Sequence, residues 1–475
     1  MRRIFGEWRP DQPAHLNNGL VIADGCVPIA NGYAPLPSFT PATAGQLGSP
    51  CLGAAAYRTA DETYIFAADA TNIYRYSATG FSSLIGGLTS SAAAGVRFCP
   101  YNRLMLATNG HDGIKRFDPA SPGSFAALDA SAPTARFLAV VRGFVVAGYA
   151  SNDSLRLAWS DSGDPAEWEA GAGEAGFYLM PGGGDITGVV GGEYGLVFQE
   201  NRILRMTYTA DDAVWQFDEI ATDVGCIAPW SLASYGRLSF FLSNKGLMAC
   251  DGVSVQAIGS EKIDRTFLAL MDRSYLEKIS AVVDPRNSLY FIAVPSADPP
   301  NRVYIYNYAL ERWTSAPLPT RRMFPALGED ATLEQIDAIF GDIDQIGGSL
   351  DSAMFRGGYP LMMLFDGGNR LGALTGPNVA ASFVDGYVEP FPGQVCRIRS
   401  VRPLTDSPDP TVAIAVEDGP ADVPTERVFA TRSQGGFHRL RQSGNLIQIK
   451  LSMPAGSAWT YAQGYDVEIA AGGRA

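Results

Sequence analysis

Histidine is nearly absent from this chain. His15, His111 and His438 stand far apart in 475 residues, which weakens any mechanism that needs imidazole as base or metal ligand. The six cysteines, Cys26, Cys51, Cys99, Cys226, Cys250 and Cys396, include no C-x-x-C pair. A zinc knuckle or a dense disulfide framework is therefore excluded, and buried thiols in a reducing cytoplasm are expected. Charged residues make up only 18%, below the roughly 25% of an average domain. Their balance is −13, against the basic face expected of a duplex-gripping protein. An acidic protein can still surround DNA without holding it, and self-repulsion for solubility is the plainer meaning of the sign. The first residues, Met1 to Trp8, carry two arginines but no apolar core, so no signal peptide is expected there. The best apolar run, Phe137 to Ala150, is interrupted by Arg142 and Gly143. It is too short to cross a bilayer, and a soluble chain without membrane insertion is expected. H-E-x-x-H, G-x-S-x-G, EF-hand and phosphate-loop patterns are all missing. Gly182-Gly183-Gly184-Asp185 and Gly191-Gly192 then read as connections between strands.

What the chain does have is turns and short apolar strands: 52 glycines, 31 prolines and 46% hydrophobic residues. A turn-plus-strand unit recurs, led by Asn72, Asp112, Asp153, Asn201, Asn244, Asn301 and Asn369. Its spacings are 40, 41, 48, 43, 57 and 68 residues, the first four matching the roughly 40–50 residues of a four-stranded propeller blade. Period-2 alternation within the pieces puts apolar residues on one face, which a small sheet buries only by stacking against its neighbours. The sixth unit is the clearest, with strands expected at Ile279 to Val283, Ser288 to Val294, Arg302 to Asn307 and Arg312 to Ala316. A β-sandwich with coincidental spacing is the rival fold.

The expected architecture is all-β. Residues 1–50 form an extended arm, with a strand that could close the ring. Residues 51–385 form a β-propeller, seven blades favoured and six possible. Residues 386–475 form a small antiparallel β domain. A segment at about 332–354, opening with Thr332 as a helix N-cap, reads as an insertion into the last blade.

Few side-chain groupings suggest chemistry. Ser160-Asp161-Ser162-Gly163-Asp164-Pro165-Ala166-Glu167-Trp168 approximates the Asp-box hairpin of sialidase-type propellers, where an Asp and a Trp lock a turn. The motif is structural even there, and sialidase chemistry would also need arginines around a substrate carboxylate and a tyrosine nucleophile backed by an acid. Asp342, Asp344 and Asp351 lack regular Ca²⁺-ligand spacing and read as a solvated loop. Arg321-Arg322 and Arg397-Ile398-Arg399-Ser400-Val401-Arg402 are the local basic clusters. The second alternates, placing its arginines on one strand face for solvent, a phosphate or an acidic partner subunit. No catalytic, cofactor or metal residues are assigned, and no enzyme activity is expected.

Four stretches together resemble the tail nozzle family of short-tailed bacteriophages, also called tail hub or packaged-DNA stabilisation proteins. They are Trp8-Arg9-Pro10-Asp11 through Ala23 to Pro37; Trp159-Ser160-Asp161 with Pro165 to Trp168; Thr332 to Asp351 leading to Phe365-Asp366-Gly367-Gly368-Asn369-Arg370-Leu371-Gly372; and Pro454 to Gly464. They occur in order along nearly the whole chain. The resemblance implies a virion protein made in the host bacterial cytoplasm, forming a homo-hexamer below the tail adaptor protein and near tail fibre or spike proteins. Its lumen would pass double-stranded DNA non-specifically, retaining the packaged genome until ejection. The alternative is a propeller tail protein that binds a host-surface glycan or receptor.

Overall fold

The computed structural model describes residues 1–474 except 60–61, 78, 212, 295–301, 327–361, 418–424, 430–432 and 434. The expected insertion at 332–354, with its Thr332 cap and Asp342, Asp344 and Asp351, lies outside the described residues.

The protein is an all-β seven-bladed propeller joined to a β-sandwich. Six blades take their four strands from consecutive sequence, at 53–85, 97–127, 135–179, 186–222, 233–257 and 280–317. Each blade runs antiparallel from its first strand outward. First strands of successive blades lie against one another from blade one to four and from five to seven, and that of blade seven lies against that of blade one, which closes the circle. Blades four and five meet through Leu196 and Phe198 on one side and Phe241 and Met248 on the other.

Each repeating unit of the sequence supplies the third strand of its blade. In blades one, two and seven the turn before it is set by a short polar side chain folded back onto the backbone. Asp69 Oδ1 accepts from Thr71 and Asn72 N–H, Asn109 Oδ1 from His111 and Asp112, and Asp366 Oδ1 from Gly368 and Arg370. This is the Asx-turn geometry that Asp and Asn favour. Second strands show no alternation: Leu289–Val294 and Gly195–Gln199 are buried at every position. Both faces of a blade are covered by neighbours, so the apolar pattern there is continuous.

Blade seven is assembled from the two ends of the propeller. Its first three strands are Arg322–Pro325, Met362–Phe365 and Arg370–Asn378, and its outer strand is Pro37–Gln46. Thr40 pairs with Ala373, Phe39 with Leu374, and Gln46 with Arg370. The backbones approach so closely that a Cβ on Gly372 would stand 2.2 Å from the Thr40 carbonyl oxygen. Ala42 and Leu47 complete a core with Phe324, Met363, Phe365 and Leu371, shared with Ile65, Ala67 and Tyr76 of blade one.

The rest of the segment expected as an arm is built into the sandwich. One sheet runs Cys26–Ile29, Gly32–Pro35, Ala462–Arg474, Gln394–Thr405, His438–Gly444, with Arg2–Ile4 also on the 462–474 strand. The other orders Leu20–Asp24, Ala381–Asp385, Leu446–Met453, Thr411–Glu417 and Thr425–Phe429. Its first strand also bridges the outer strand of blade six, Asp24 to Ser315, making one nine-stranded sheet across propeller and sandwich. Phe5, Tyr33, Phe383, Trp459 and Tyr465 pack in the sandwich core.

Polar contacts fix the arm further. Asp11 accepts from Arg265 and Thr266 N–H at 2.9 and 2.8 Å, serving as cap to the helix Asp264–Leu270 between blades five and six. Arg3 Nε and the Tyr465 hydroxyl both donate to buried Asp385 Oδ2 at 2.8 Å. Asp264, 9% exposed, accepts from Leu247 N–H at 3.1 Å. Burial is the main force raising its carboxyl to about 6, and the nearby Asp11 charge adds to it.

Two outcomes follow from these contacts. Gly372→Val will push the strand Pro37–Gln46 off blade seven, costing about 1–3 kcal/mol as an overpacked contact. Limited proteolysis will then cut within 37–50 before any blade. For Asp264, a folded pKa above the unfolded value means stability is greatest below about pH 4 and is lost as pH rises through about 6. Asp264→Asn should flatten that fall in urea melts between pH 4 and 7.

Candidate functional site

The residues that stand out lie where the propeller axis opens at the start of the first strands. Arg97 opens the first strand of blade two and Arg322 that of blade seven. Trp230 lies in the connection between blade four, ending at Thr222, and blade five, beginning at Ala233. Elements from blades two, five and seven of a seven-membered ring meet only near its axis. They do meet: the Arg97 guanidinium lies 4.0 Å from the Trp230 ring centroid and that of Arg322 3.7 Å from it. Arg97 also lies 4.8 Å from the Phe137 ring in the first strand of blade three. Gly95 makes room, since a Cβ there would stand 2.3 Å from the Trp230 ring.

The electrostatics are unusual for a chain of net charge −13. Arg322 is 4% exposed, and no carboxylate among the described residues pairs with it or with Arg97. Among the described residues its hydrogen bond to backbone is a long 3.5 Å contact to the Ile279 carbonyl, whereas Arg97 donates to Pro229 O at 2.8 Å. Burial, then the positive charge of Arg322 and also that of Arg136, holds the Arg97 guanidinium down to about 9. Burial, with Arg321 beside it, holds Arg322 to about 10. Four arginines are thus within electrostatic reach around one mouth. The Nε atoms of Arg97 and Arg322 and the indole Nε1 of Trp230 are buried without an acceptor from the described residues. Trp230, Arg97 and Arg136 are half-buried and Arg321 is exposed, so the cluster opens to solvent.

The Asp-box-like segment lies between the third and fourth strands of blade three, away from this mouth. Asp161 Oδ1 accepts from Glu174 N–H at 2.7 Å, Trp159 Nε1 donates to the Glu174 carbonyl, and Trp168 Nε1 donates to Pro165 O at 2.7 Å. These bonds shape a turn. The three histidines are not brought together: His438 faces the Phe429 carbonyl, His15 stacks on Tyr387, and His111 takes part in the blade-two turn. All six cysteines are free and buried. Among the described residues, no group of three or more His, Cys, Asp or Glu is placed to hold a metal ion.

The second basic cluster lies on the outer face of the sandwich. Arg397, Arg399 and Arg402 are exposed on the strand Gln394–Thr405, and a register shift between Ile398 and Ser400 keeps Arg402 on that face. The neighbouring strand adds exposed Arg439 and Arg441, and the strand Arg2–Ile4 adds Arg2. The carboxylates among them are Asp466, bound to Arg2 at 2.8 Å, and Glu468, 3.8 Å from Arg399. Of the axial group, only the adjacent Arg321 and Arg322 stood out in the sequence. Arg97, Arg136 and Trp230 carry no local signal, since only ring closure unites them.

No family model matches the chain, and no curated protein sequence matches it. Solved structures similar to it include the Neurospora crassa Pan2 WD40 domain, 7% identical over 58% of this chain and 82% of that one, with a TM-score of 0.37. Others are BBS1N in complex with ARL6DN (12%, 71% and 96%, TM-score 0.40) and a chain of a mitotic checkpoint complex (11%, 73% and 95%, TM-score 0.40). Nothing about the site follows from them.

Arg322 is a buried cation that no carboxylate among the described residues neutralises. Replacing such a group by an apolar one of similar volume is commonly neutral or stabilising. Arg322→Met should therefore hold or raise stability by about 1 kcal/mol in chloride buffer at pH 7, measured by urea unfolding. A clear loss would show that its stack on Trp230 outweighs the cost of burying the charge.

Proposed function

We propose that this chain is a structural virion protein of the tail-nozzle kind. In this reading six copies form a ring below the tail adaptor protein, near the tail fibre or spike proteins. The ring continues the channel through which double-stranded DNA passes and helps retain and release the packaged genome. The chain acts here without catalysis, as a rigid block.

The observation that carries this reading is the meeting of stretches on which the family resemblance rests. Val27 to Ala30, Ala34 to Pro37, Trp459 and Thr460 line one groove, together with Leu374 of blade seven and Leu289 and Phe291 of blade six. Phe365 to Gly372 lies in blade seven, the blade that Pro37–Gln46 completes. Segments far apart in sequence thus converge on the joint between propeller and sandwich. Trp159 to Trp168 lies apart, in a turn of blade three, and stretches that meet at a joint or shape a turn favour a shared shape over a reaction site. The outer sandwich face adds support, because a ring made by one repeated head-to-tail contact needs two different, complementary faces. An arginine-rich face on an acidic chain supplies one of them.

The second reading, a propeller that binds a host-surface glycan or receptor, is favoured by the tryptophan and arginines at the axial mouth. Native mass spectrometry and cryo-EM of tail particles separate the two. A ring of six bound to an adaptor supports the nozzle, while a stable monomer with no association with tail components, retained on immobilised glycans, supports the second. If the sandwich face is a ring contact, Arg399→Glu with Arg402→Glu and Arg439→Glu should convert the oligomer to monomer in native mass spectrometry. Thermal stability should change little, because all three side chains are exposed.

A further inference from the structure

We propose that the axial mouth of the propeller is an oxyanion-binding site, in which Arg97, Arg322 and Trp230 receive a carboxylate or phosphate group. The inference does not depend on the ring reading.

The chemistry of the groups present selects the ligand. Arg97 Nε, Arg322 Nε and Trp230 Nε1 are N–H donors, buried and without an acceptor among the described residues. None of the three side chains can accept a hydrogen bond. A neutral hydroxyl ligand would leave its own protons unpaired against such a set, whereas an oxyanion brings only acceptors. The charge points the same way. Arg97, Arg136, Arg321 and Arg322 raise one another's electrostatic cost, and no carboxylate ion pair offsets it among the described residues. Leaving buried donors and like charges in this state destabilises the free protein. Bound oxyanion would remove both costs and form charge-assisted hydrogen bonds.

Placement gives the site its rigidity. Each member hangs from a different blade, at the start of a first strand or in the connection just before one. The Trp230 indole anchors both guanidiniums, whose central carbons lie over its ring at 4.0 and 3.7 Å from the centroid. Such stacking pre-orders the arginine forks, reducing the entropy lost when a ligand binds.

The test uses the purified full chain and three sodium salts at equal ionic strength: phosphate, acetate and chloride. Calorimetric titration and thermal unfolding should show phosphate or acetate binding and raising the melting temperature above that in chloride. A response to phosphate alone assigns a phosphate group, and one to acetate alone assigns a carboxylate. Arg97→Gln and Arg322→Gln should each weaken binding by about tenfold, the loss of one charge-assisted hydrogen bond. Arg399→Gln on the sandwich face should leave it unchanged. If an arginine variant fails to fold, Trp230→Phe, which keeps an aromatic platform but deletes the N–H, should still bind several-fold more weakly. The proposal is overturned if neither salt differs from chloride, or if the response survives in the axial variants and so reflects general screening.

Discussion

The pairing of Pro37–Gln46 with Arg370–Asn378 is the constraint on which the molecule depends. A propeller ring has no covalent closure, and each blade covers its apolar faces only with its neighbours. If blade seven lacked its outer strand, the edge at Arg370–Asn378 would lie open and the core joining blades seven and one would lose Ala42 and Leu47. Taking that strand from the start of the chain converts a row of blades into a circle. The axial site is a product of the same closure, because Arg322 belongs to blade seven while Arg97 and Trp230 come from elsewhere on the ring.

The same leading segment also fastens the sandwich. Residues 2–35 contribute strands to both of its sheets, and Leu20–Asp24 carries hydrogen bonding from blade six into the second sheet. Asp385 satisfies Arg3 and Tyr465 at once, and Asp11 caps a helix between blades. The Arg3–Asp385 and Asp11–Arg265 contacts each join residues more than 200 positions apart. The joint is therefore held by backbone ladders and charged hydrogen bonds as well as by the apolar core around Phe5 and Phe383.

The blades were legible in the sequence because their determinants are local. Asp69, Asn109 and Asp366 set turns within a few residues of themselves, and the four strands of blade six fell within one residue of expectation. The strand that closes the ring was anticipated only as a possibility, since Pro37–Gln46 has no partner within 300 residues. The leading segment reads as one arm in sequence, but its first strands are buried by the sandwich and by the outer strands of blade six. Strand Ala381–Asp385, assigned by sequence to the propeller, pairs instead with Leu20–Asp24 and Leu446–Met453. The axial mouth was least legible of all. Arg97 and Trp230 are unremarkable in their own neighbourhoods, and a site made by closing a ring has no local pattern.

The order of strands in the chain governs the order of events on the ribosome. The Met1 ammonium donates to the Val467 carbonyl across 466 positions, and Gln46 reaches Gly368 across 322. At about 5–20 residues per second, the first strands emerge on the order of half a minute before their partners. Six blades can stack in sequence during that interval, but neither the seventh blade nor the sandwich can form. A chain terminated before Arg370–Asn378 is left as an open arc with exposed strand edges, because blade seven cannot yet take up Pro37–Gln46.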